Sequence, residues 1–151
     1  MWFERGAEEA ARFYVSIFKK NSKILKITRY ENTGPGHKVS VVVVLFRLNG
    51  QKFMGFNSKG DHFKFNEAIS MVALCKTQKE IDYYWSRLSK GGKEVQCGWL
   101  KDKFGVSWQV TPADFDKLLT GDPKKVDRYM KAMMGMVKLD INKLRAASRG
   151  E

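Results

Sequence analysis

Residues 96–112, QCGWLKDKFGVSWQVTP, hold the pattern that decides the fold of this chain of 151 residues. Two short runs that alternate apolar and polar residues flank a turn at 101–105, which predicts a β-hairpin with Asp102 and Gly105 in its bend. In the second run, apolar side chains at 106, 108 and 110 alternate with polar ones at 107, 109 and 111. A polar side chain on an interior sheet face is a typical ligand contact, so Gln109 becomes the first candidate binding residue.

The first third of the chain is predicted to form a helix followed by three strands. Apolar residues at 10, 13, 14, 17 and 18 have helical spacing, which indicates a helix over 7–19. Residues 22–30, 38–48 and 51–57 have the composition of strands, with a turn-rich loop at 31–37 and a tight Asn49-Gly50 hairpin. Residues 1–4 leave room for only a very short first strand, unless the natural chain begins earlier or a partner chain completes that edge.

The same order of elements is predicted again in the second third. Residues 68–75 indicate a strand, and Thr77 with Glu80 forms a capping box for a helix that ends near Gly91-Gly92. Short strands follow at 93–96, 98–101 and 106–111. A β-α-β-β-β order that occurs twice is compatible with two ferredoxin-like halves.

The last part of the chain is predicted to be helical. Helices are expected at 113–119, after Asp122 as N-cap with Pro123 in the first turn, and at 140–147. Val126, Met130, Met133, Met134 and Val137 form a stripe that favours core filling over a binding groove. Residues 148–151 are expected to fray.

Composition limits the classes of function. Hydrophobic residues make up 43% and charged residues 29% of the chain, which is ordinary for a globular domain. No run of about 18 apolar residues exists, so no membrane association is expected, and the lack of a signal pattern predicts a cytoplasmic location.

Cys75 and Cys97 have no metal-ligand spacing and are expected to be buried thiols in strands, although Cys97, beside Gly98, could be more exposed and reactive.

The net charge of +12 raises nucleic-acid binding as a hypothesis. The basic residues are scattered along the chain, and most are Lys, whereas base recognition favours Arg. A solvated basic surface is therefore the preferred interpretation, and nucleic-acid binding is kept as an alternative that steep salt dependence would favour.

Three motifs carry a resemblance to a known family: WFERGAEEA at 2–10, HFKFNEAIS at 62–70 and CGWLKDKFGVSWQ at 97–109. With them the chain resembles the PhnB-like branch of the vicinal-oxygen-chelate superfamily, whose members are often labelled 3-demethylubiquinone-9 3-methyltransferase-like. The resemblance implies an α+β fold in which two βαβββ modules, 1–58 and 68–112, form a curved mixed sheet around a ligand cavity. Residues 113–147 would add C-terminal helices to this glyoxalase-like domain of residues 1–151, and a homodimer is expected.

Metal-dependent relatives hold a divalent ion with His and Glu side chains from four strands. The matching positions here offer Trp2 or Phe3 in the first strand, Asn57 in another, and Gln109 where a metal enzyme has Glu. Neutral amides are poor ligands for a catalytic ion, so no metal and no cofactor are predicted, which puts glyoxalase and dioxygenase chemistry in doubt. A metal-dependent lyase or dioxygenase remains an alternative that a bound ion would support.

The predicted cavity would bind a small organic molecule, whose identity the sequence does not reveal. Its predicted ligand contacts are Phe56, Asn57, Trp99, Trp108 and Gln109. Glu67 is the candidate general base, because burial would raise its pKa; its alternative role is structural, capping backbone amides or pairing with a Lys. No glycine-rich turn for a methyl donor is found, so methyl transfer is not predicted. Whether the protein is an enzyme or a sequestering resistance-type binder is left open.

Overall fold

A strand, a helix and three further strands follow one another twice along the chain. In this computed structural model, which describes residues 1–30, 40–57 and 63–151, the two repeats belong to separate compact units, Met1–Lys64 and Phe65–Glu151. The predicted α+β class with two βαβββ modules and C-terminal helices is confirmed. The whole predicted loop at 31–37, which includes His37, lies outside the described residues, and so does His62.

The first unit holds one helix and a four-stranded mixed sheet. Its elements are β1 (Trp2–Phe3), α1 (Ala7–Ile17), β2 (Lys23–Tyr30), β3 (Ser40–Leu48) and β4 (Gln51–Asn57). The strand order is β1-β4-β3-β2, with β1 parallel to β4 and the other pairs antiparallel. The first strand is as short as predicted, and Asn49 and Gly50 have φ values of 47° and 91°, as a type I′ hairpin turn requires.

One face of this sheet packs against α1. Val44 and Phe46 of β3 are fully buried, as are Ala10 and Tyr14 of the helix. Gly55 of β4 is buried under this layer, where a Cβ atom would make ordinary van der Waals contacts with the Phe3 ring at 3.4 Å and the Ala7 side chain at 3.6 Å. The apolar helical spacing of the sequence thus forms the core of the first unit, although the helix ends at Ile17 rather than at residue 19.

The second unit repeats the arrangement. Its sheet and crossover helix are β5 (Met71–Cys75), α2 (Gln78–Leu88), β6 (Lys93–Glu94), β7 (Trp99–Lys101) and β8 (Ser107–Pro112). The order is β5-β8-β7-β6, with β5 parallel to β8. The predicted start of β5 at residue 68 is wrong, because the Asn66 side chain accepts a hydrogen bond from the Ala68 amide and holds a turn there.

The helix α2 covers one face of the second sheet. Thr77 and Glu80 form the predicted capping box, and Ile81, Trp85 and Leu88 are buried. On the sheet, Ala73, Cys75, Leu100, Trp108 and Val110 form the buried side. Burial of a large apolar side chain contributes about 1.5–3 kcal/mol relative to exposure, so this layer is a main source of stability.

Three helices follow the second sheet: α3 (Phe115–Leu119), α4 (Pro123–Met134) and α5 (Ile141–Arg149). Asp122 caps α4 as predicted, accepting hydrogen bonds from the Lys124 and Lys125 amides. The predicted stripe is only partly buried, because α4 turns Tyr129 and Met133 inward and leaves Met134 64% exposed. The predicted fraying at 148–151 is wrong, since Ser148 is buried and its carbonyl accepts a hydrogen bond from Arg128.

Hydrogen bonds fasten the segment before α5 to the second sheet and its helix. The Gln78 amide donates to the Leu139 carbonyl and accepts from the Ile141 amide. The amides of Cys97 and Gly98 donate to the carbonyls of residues 136 and 137, at 2.7 and 2.8 Å. Cys97 lies in a turn with φ 61° and is half-buried, so its predicted place in a strand is wrong, whereas Cys75 is buried in β5 as expected.

No helix in the described ranges is long and apolar enough to cross a membrane.

Candidate ligand-binding site

Gln109 lies near the centre of the second sheet, on the face turned away from α2. Its neighbours across the ladder are Val72 of β5 and Trp99 of β7, and directly paired residues share a face. We call this side, which carries Val72, Leu74, Trp99 and Gln109, the open face, because Val72 and Leu74 are 51% and 62% exposed there. Nε2 of Gln109 donates a hydrogen bond to Oγ of Ser70 at 2.8 Å, which fixes the orientation of the amide.

The turn before β8 sets which side chains reach the open face. Asp102 is 3% exposed, and its carboxylate accepts hydrogen bonds from the amides of Phe104 and Val106 and from Nε1 of Trp108. These bonds confirm the predicted hairpin and draw Trp108 into the core. Trp108 is 2% exposed on the α2 side, so its predicted place beside Gln109 in a cavity is wrong. The physical reason is strand alternation, which puts neighbouring residues on opposite faces.

A pocket of about 200 Å³ opens beside Trp99 on the open face. It is lined by Glu67, Lys93, Val95, Trp99, Leu100, Lys101 and Ser107. The residue Ser107 is only 2% exposed, and its hydroxyl is buried without a hydrogen-bond partner among the described residues. Burying a hydroxyl unpaired costs about 1–3 kcal/mol, so a ligand that bonds to it would recover part of that cost.

Glu67 stands at this pocket as half of an ion pair. Its carboxylate is 2.5 Å from Nζ of Lys101, and its side chain is 63% exposed. The expected rise of its pKa by burial is wrong: the hydrogen bond from Lys101 lowers the pKa of Glu67 below its ordinary value. A carboxylate that stays ionised at neutral pH and is already paired is a weak general base, which favours the structural role foreseen for it.

Phe56 and Asn57 belong to the first unit. The Asn57 carbonyl oxygen accepts a hydrogen bond from the Ala7 amide at 2.9 Å, which fastens the start of α1 to the end of β4. Phe56 packs against Trp2 with ring centroids 4.6 Å apart, and Trp2 also meets Phe63 at 5.0 Å. The amide oxygen of Asn57 thus has a structural partner, and the rings form an aromatic cluster of the first unit.

The donor groups present do not fit the His and Glu set of metal-dependent relatives. Gln109 offers a neutral amide already bonded to Ser70. In the parts of the chain that the structure describes, no group of three or more His, Cys, Asp or Glu side chains could hold an ion. Hard divalent ions prefer carboxylates and catalytic zinc prefers His, and Gln109 and Asn57 supply neither group.

Sequence reasoning missed Ser107, Lys101 and Lys93 as residues of the pocket. Ser107 could have been found, since it precedes Gln109 by two positions and strand alternation places both on one face. The lysines required the ladder register, which pairs Lys101 with Ser107 and with Lys93. That register depends on the bend at Asp102. The sequence predicts the bend, but it does not predict which residues of the neighbouring strands are paired.

Comparison with known proteins defines first the superfamily and then the family of this protein. Two βαβββ modules with these sheet orders form the fold of the glyoxalase, bleomycin-resistance and vicinal-oxygen-chelate superfamily. The family model described as 3-demethylubiquinone-9 3-methyltransferase matches residues 1–111. The chain therefore belongs to this family, the PhnB-like branch of the superfamily.

Solved structures agree with this assignment. The chain is 40% identical to a putative 3-demethylubiquinone-9 3-methyltransferase, PhnB protein, from Bacillus cereus, with a TM-score of 0.68 and coverage of 75% of this chain and 95% of that one. Protein PA1353 from Pseudomonas aeruginosa shares the fold at 14% identity and a TM-score of 0.62, over 74% of this chain and 92% of that one.

The fosfomycin resistance protein FosX from Listeria monocytogenes, solved with Mn(II) and sulfate, shares the fold at 12% identity. Its TM-score is 0.54, and the match covers 80% of this chain and 93% of that one. None of the curated proteins compared with the chain matches it.

Proposed function

We propose that this protein binds a small organic anion in the pocket on the open face of its second sheet, without a catalytic metal ion. The observation that carries the proposal is the unpaired hydroxyl of Ser107, buried in the wall of a pocket that Trp99 also lines. Ligand sites are concave and largely apolar, with a few polar groups that fix orientation. The buried hydroxyl is such a group, and the indole offers the apolar wall.

The charge of the pocket favours an anion. Lys93 and Lys101 both line it, and Glu67 is the only carboxylate among its lining residues. The Glu67 carboxylate already sits on Lys101, where an acidic ligand would sit. An anionic ligand would therefore compete with Glu67 for Lys101 while its apolar part lies against Trp99. The pocket of about 200 Å³ is smaller than the roughly 300–1,000 Å³ of drug-sized sites, so a small ligand is expected.

The proposal contains no catalytic step. Glu67 was the sequence-based candidate for a base, and its exposed, ion-paired state gives it no proton-accepting task in the pocket. The family name refers to methyl transfer, but the residues of the open face show no feature that would hold a methyl donor.

Titration of tryptophan fluorescence with benzoate, an aromatic carboxylate, tests the proposal, with benzamide as its neutral counterpart. We expect saturable binding of benzoate and much weaker binding of benzamide. Ser107→Ala should weaken benzoate binding and leave the protein as stable or slightly more stable, since it removes an unpaired buried polar group. Lys101→Gln should also weaken binding, whereas Lys90→Gln, an exposed lysine of the same unit, is the matched control.

Equal binding by wild type, Ser107→Ala and Lys101→Gln would refute this location of the site. A loss of binding in Lys90→Gln of the same size would show non-specific attraction to a basic protein instead.

Thermal unfolding tests the proposal that the protein has no catalytic metal ion. It is measured with a chelator, then with zinc, nickel, manganese, iron and magnesium in turn. An ion at 100 times its dissociation constant adds about 2.7 kcal/mol to the stability of a protein with one specific site. We expect no such shift. A large shift for one ion, lost in Gln109→Ala, would restore the metal-dependent lyase or dioxygenase hypothesis.

A further inference from the structure

A second pocket of about 200 Å³ lies where the C-terminal helices meet the second sheet. It is lined by Cys75, Lys76, Ala113, Asp114, Lys117 and Arg145. Four of these residues lie beyond residue 111, where the match to the family ends. The pocket is therefore built mainly by the part of the chain that the family comparison does not cover, and it shares no lining residue with the pocket beside Trp99.

The place of the pocket follows from strand direction. β5 and β8 are parallel neighbours, and their last residues, Cys75 and Pro112, are paired across the ladder. The Ala113 amide donates to the Cys75 carbonyl at 2.7 Å, which holds both carboxyl ends together as the chain leaves the sheet. Crevices outside the carboxyl ends of parallel strands are common ligand sites in sheets flanked by helices.

The charges of this pocket are mostly positive. Lys76, Lys117 and Arg145 contribute three cations, against the single carboxylate of Asp114. Within the described residues, neither lysine ammonium has an ion-pair partner, and Arg145 uses Nη2 to bond to Asp114 at 2.8 Å. A guanidinium has five N–H donors, so Arg145 keeps donors for another acceptor.

The positions of the three cations favour an anion with more than two oxygens. The three cations come from the loop after β5, from α3 and from α5, so they approach from three separate elements. A carboxylate has two oxygens, whereas a phosphate group presents three or four and could engage all three cations together. Burial raises the pKa of the Cys75 thiol to about 12, which disfavours the thiolate that covalent chemistry at this residue would need.

We propose that this pocket is a second binding site, independent of the site on the open face, for a phosphate group held by Lys76, Lys117 and Arg145. The group could be free phosphate or the phosphate of a phosphorylated small molecule. Asp114, which pairs with Arg145, is the anion with which the ligand competes for that guanidinium. Removal of the Asp114 charge should therefore strengthen binding.

Amide NMR titration with inorganic phosphate and, separately, glycerol 3-phosphate tests the proposal at low ionic strength. We expect saturable shifts near residues 75–76, 113–117 and 145, and the tighter probe identifies the source of the phosphate. Lys76→Gln and Lys117→Gln should each weaken binding about two- to five-fold, the range of exposed ion pairs, and the double variant about tenfold. Asp114→Asn should tighten it.

The matched control is Lys143→Gln, an exposed lysine on α5 that does not line the pocket. It should bind phosphate like the wild type, and the amide spectrum of each variant shows whether it is folded. Unchanged binding in the double variant, or an equal loss in Lys143→Gln, would overturn the proposal. Because benzoate binding depends on Ser107 and Lys101, failure of either site leaves the other test intact.

Discussion

Asp102 is the residue on which the geometry of the open face depends. Its carboxylate accepts three hydrogen bonds, two from the turn and one from the buried indole of Trp108. The bonds link the bend, the start of β8 and the core with one side chain. A conformational role of this kind explains why an acidic residue is only 3% exposed.

Asp102→Ala should lower the free energy of unfolding by about 3 kcal/mol or more, because three donors lose their acceptor and each unpaired buried group costs about 1–3 kcal/mol. Urea denaturation measures this change. Asp127→Ala removes an exposed carboxylate whose ion pair, among the residues that the structure describes, is with Lys131, and it should cost less than about 1 kcal/mol. Equal losses in the two variants would contradict the role given to Asp102.

The candidate residues show how far single positions could be predicted. Gln109 was found because alternation places it on a polar strand face, which is a local property of the sequence. Apolar neighbours along the chain predict a raised pKa for Glu67, yet in space its neighbour is Lys101, which lowers that pKa. Trp108 and Gln109 were grouped as pocket residues, although adjacent strand positions point to opposite faces. Spatial neighbours determine a pKa, and sequence neighbours are a poor substitute for them.

Among the elements, the turn at Cys97-Gly98 shows most clearly what tertiary packing demands. Gly98 has φ +78°, and a Cβ atom there would lie 2.9 Å from Leu139 and from the Val110 carbonyl oxygen. The turn thus lets the segment before α5 lie directly against the second sheet. Only glycine combines this backbone conformation with this close approach at low cost.

Gly98→Ala should destabilise the protein by roughly 2–5 kcal/mol, combining about 1–2 kcal/mol of left-handed strain with about 1–3 kcal/mol of overpacking. Gly105→Ala is a matched control, since it has φ +83° with no atom within 4 Å of the added Cβ. Gly105→Ala should lose only the stability that corresponds to left-handed strain. Thermal or urea unfolding measures both, and equal losses would show that the contact with Leu139 has no energetic effect.

Gln78 connects α2 to the segment before α5 through both ends of its amide. Gln78→Ala removes these two bonds and a third that Nε2 donates to Asp82 within α2, so it should cost about 2–3 kcal/mol and speed hydrogen exchange near Ile141. Gln78→Glu keeps an acceptor for the Ile141 amide but sets a carboxylate oxygen against the Leu139 carbonyl and the Asp82 carboxylate, so a loss at least as large as that of Gln78→Ala is expected. Lys79→Ala, exposed on the next position, should stay within about 0.5 kcal/mol of wild type; a larger change there would argue against a specific link.

At the scale of the whole molecule, charge decides the response to pH. The chain has 28 Lys and Arg against 16 Asp and Glu. Several carboxyl groups have a lowered pKa: Glu8 beside Arg29 and Arg12, Glu67 beside Lys101, Asp82 beside Lys138, and Glu151 beside Arg149. These pairs are exposed, so each contributes little to the free energy of unfolding. All four contributions are lost in the same direction, as the pH falls.

Stability should therefore fall as the pH falls below about 4.5, the ordinary pKa of Glu. In this range the unfolded chain binds protons more readily than the folded one, because the folded pKa values are lower. The stabilisation is present above the unfolded pKa and is lost as pH falls through the folded pKa. Urea midpoints from pH 7 to pH 3 measure the loss, and Glu8→Gln should reduce its steepness. Stability that rises with acidification would contradict this mechanism.

Several expectations at this scale stay predictions. The homodimer, the cytoplasmic location and the preference against nucleic acids depend on partners and surroundings that a single chain does not contain. Affinity for DNA that falls steeply with salt would favour the nucleic-acid alternative, since release of counterions dominates such binding.

By itself, the sequence determined the elements and their order, because helical spacing, capping boxes, turn dipeptides and strand alternation are local patterns. The hairpin at Asn49-Gly50, the capped start of α2, the bend at Asp102 and Gly105 and the polar position of Gln109 all follow from neighbours along the chain. Tertiary structure alone decided which side chains share a pocket. Ser107, Lys93 and Lys101 meet through ladder register, and Lys76, Lys117 and Arg145 meet through helix docking. Contacts between distant residues depend on how elements pack, and no local pattern encodes that packing.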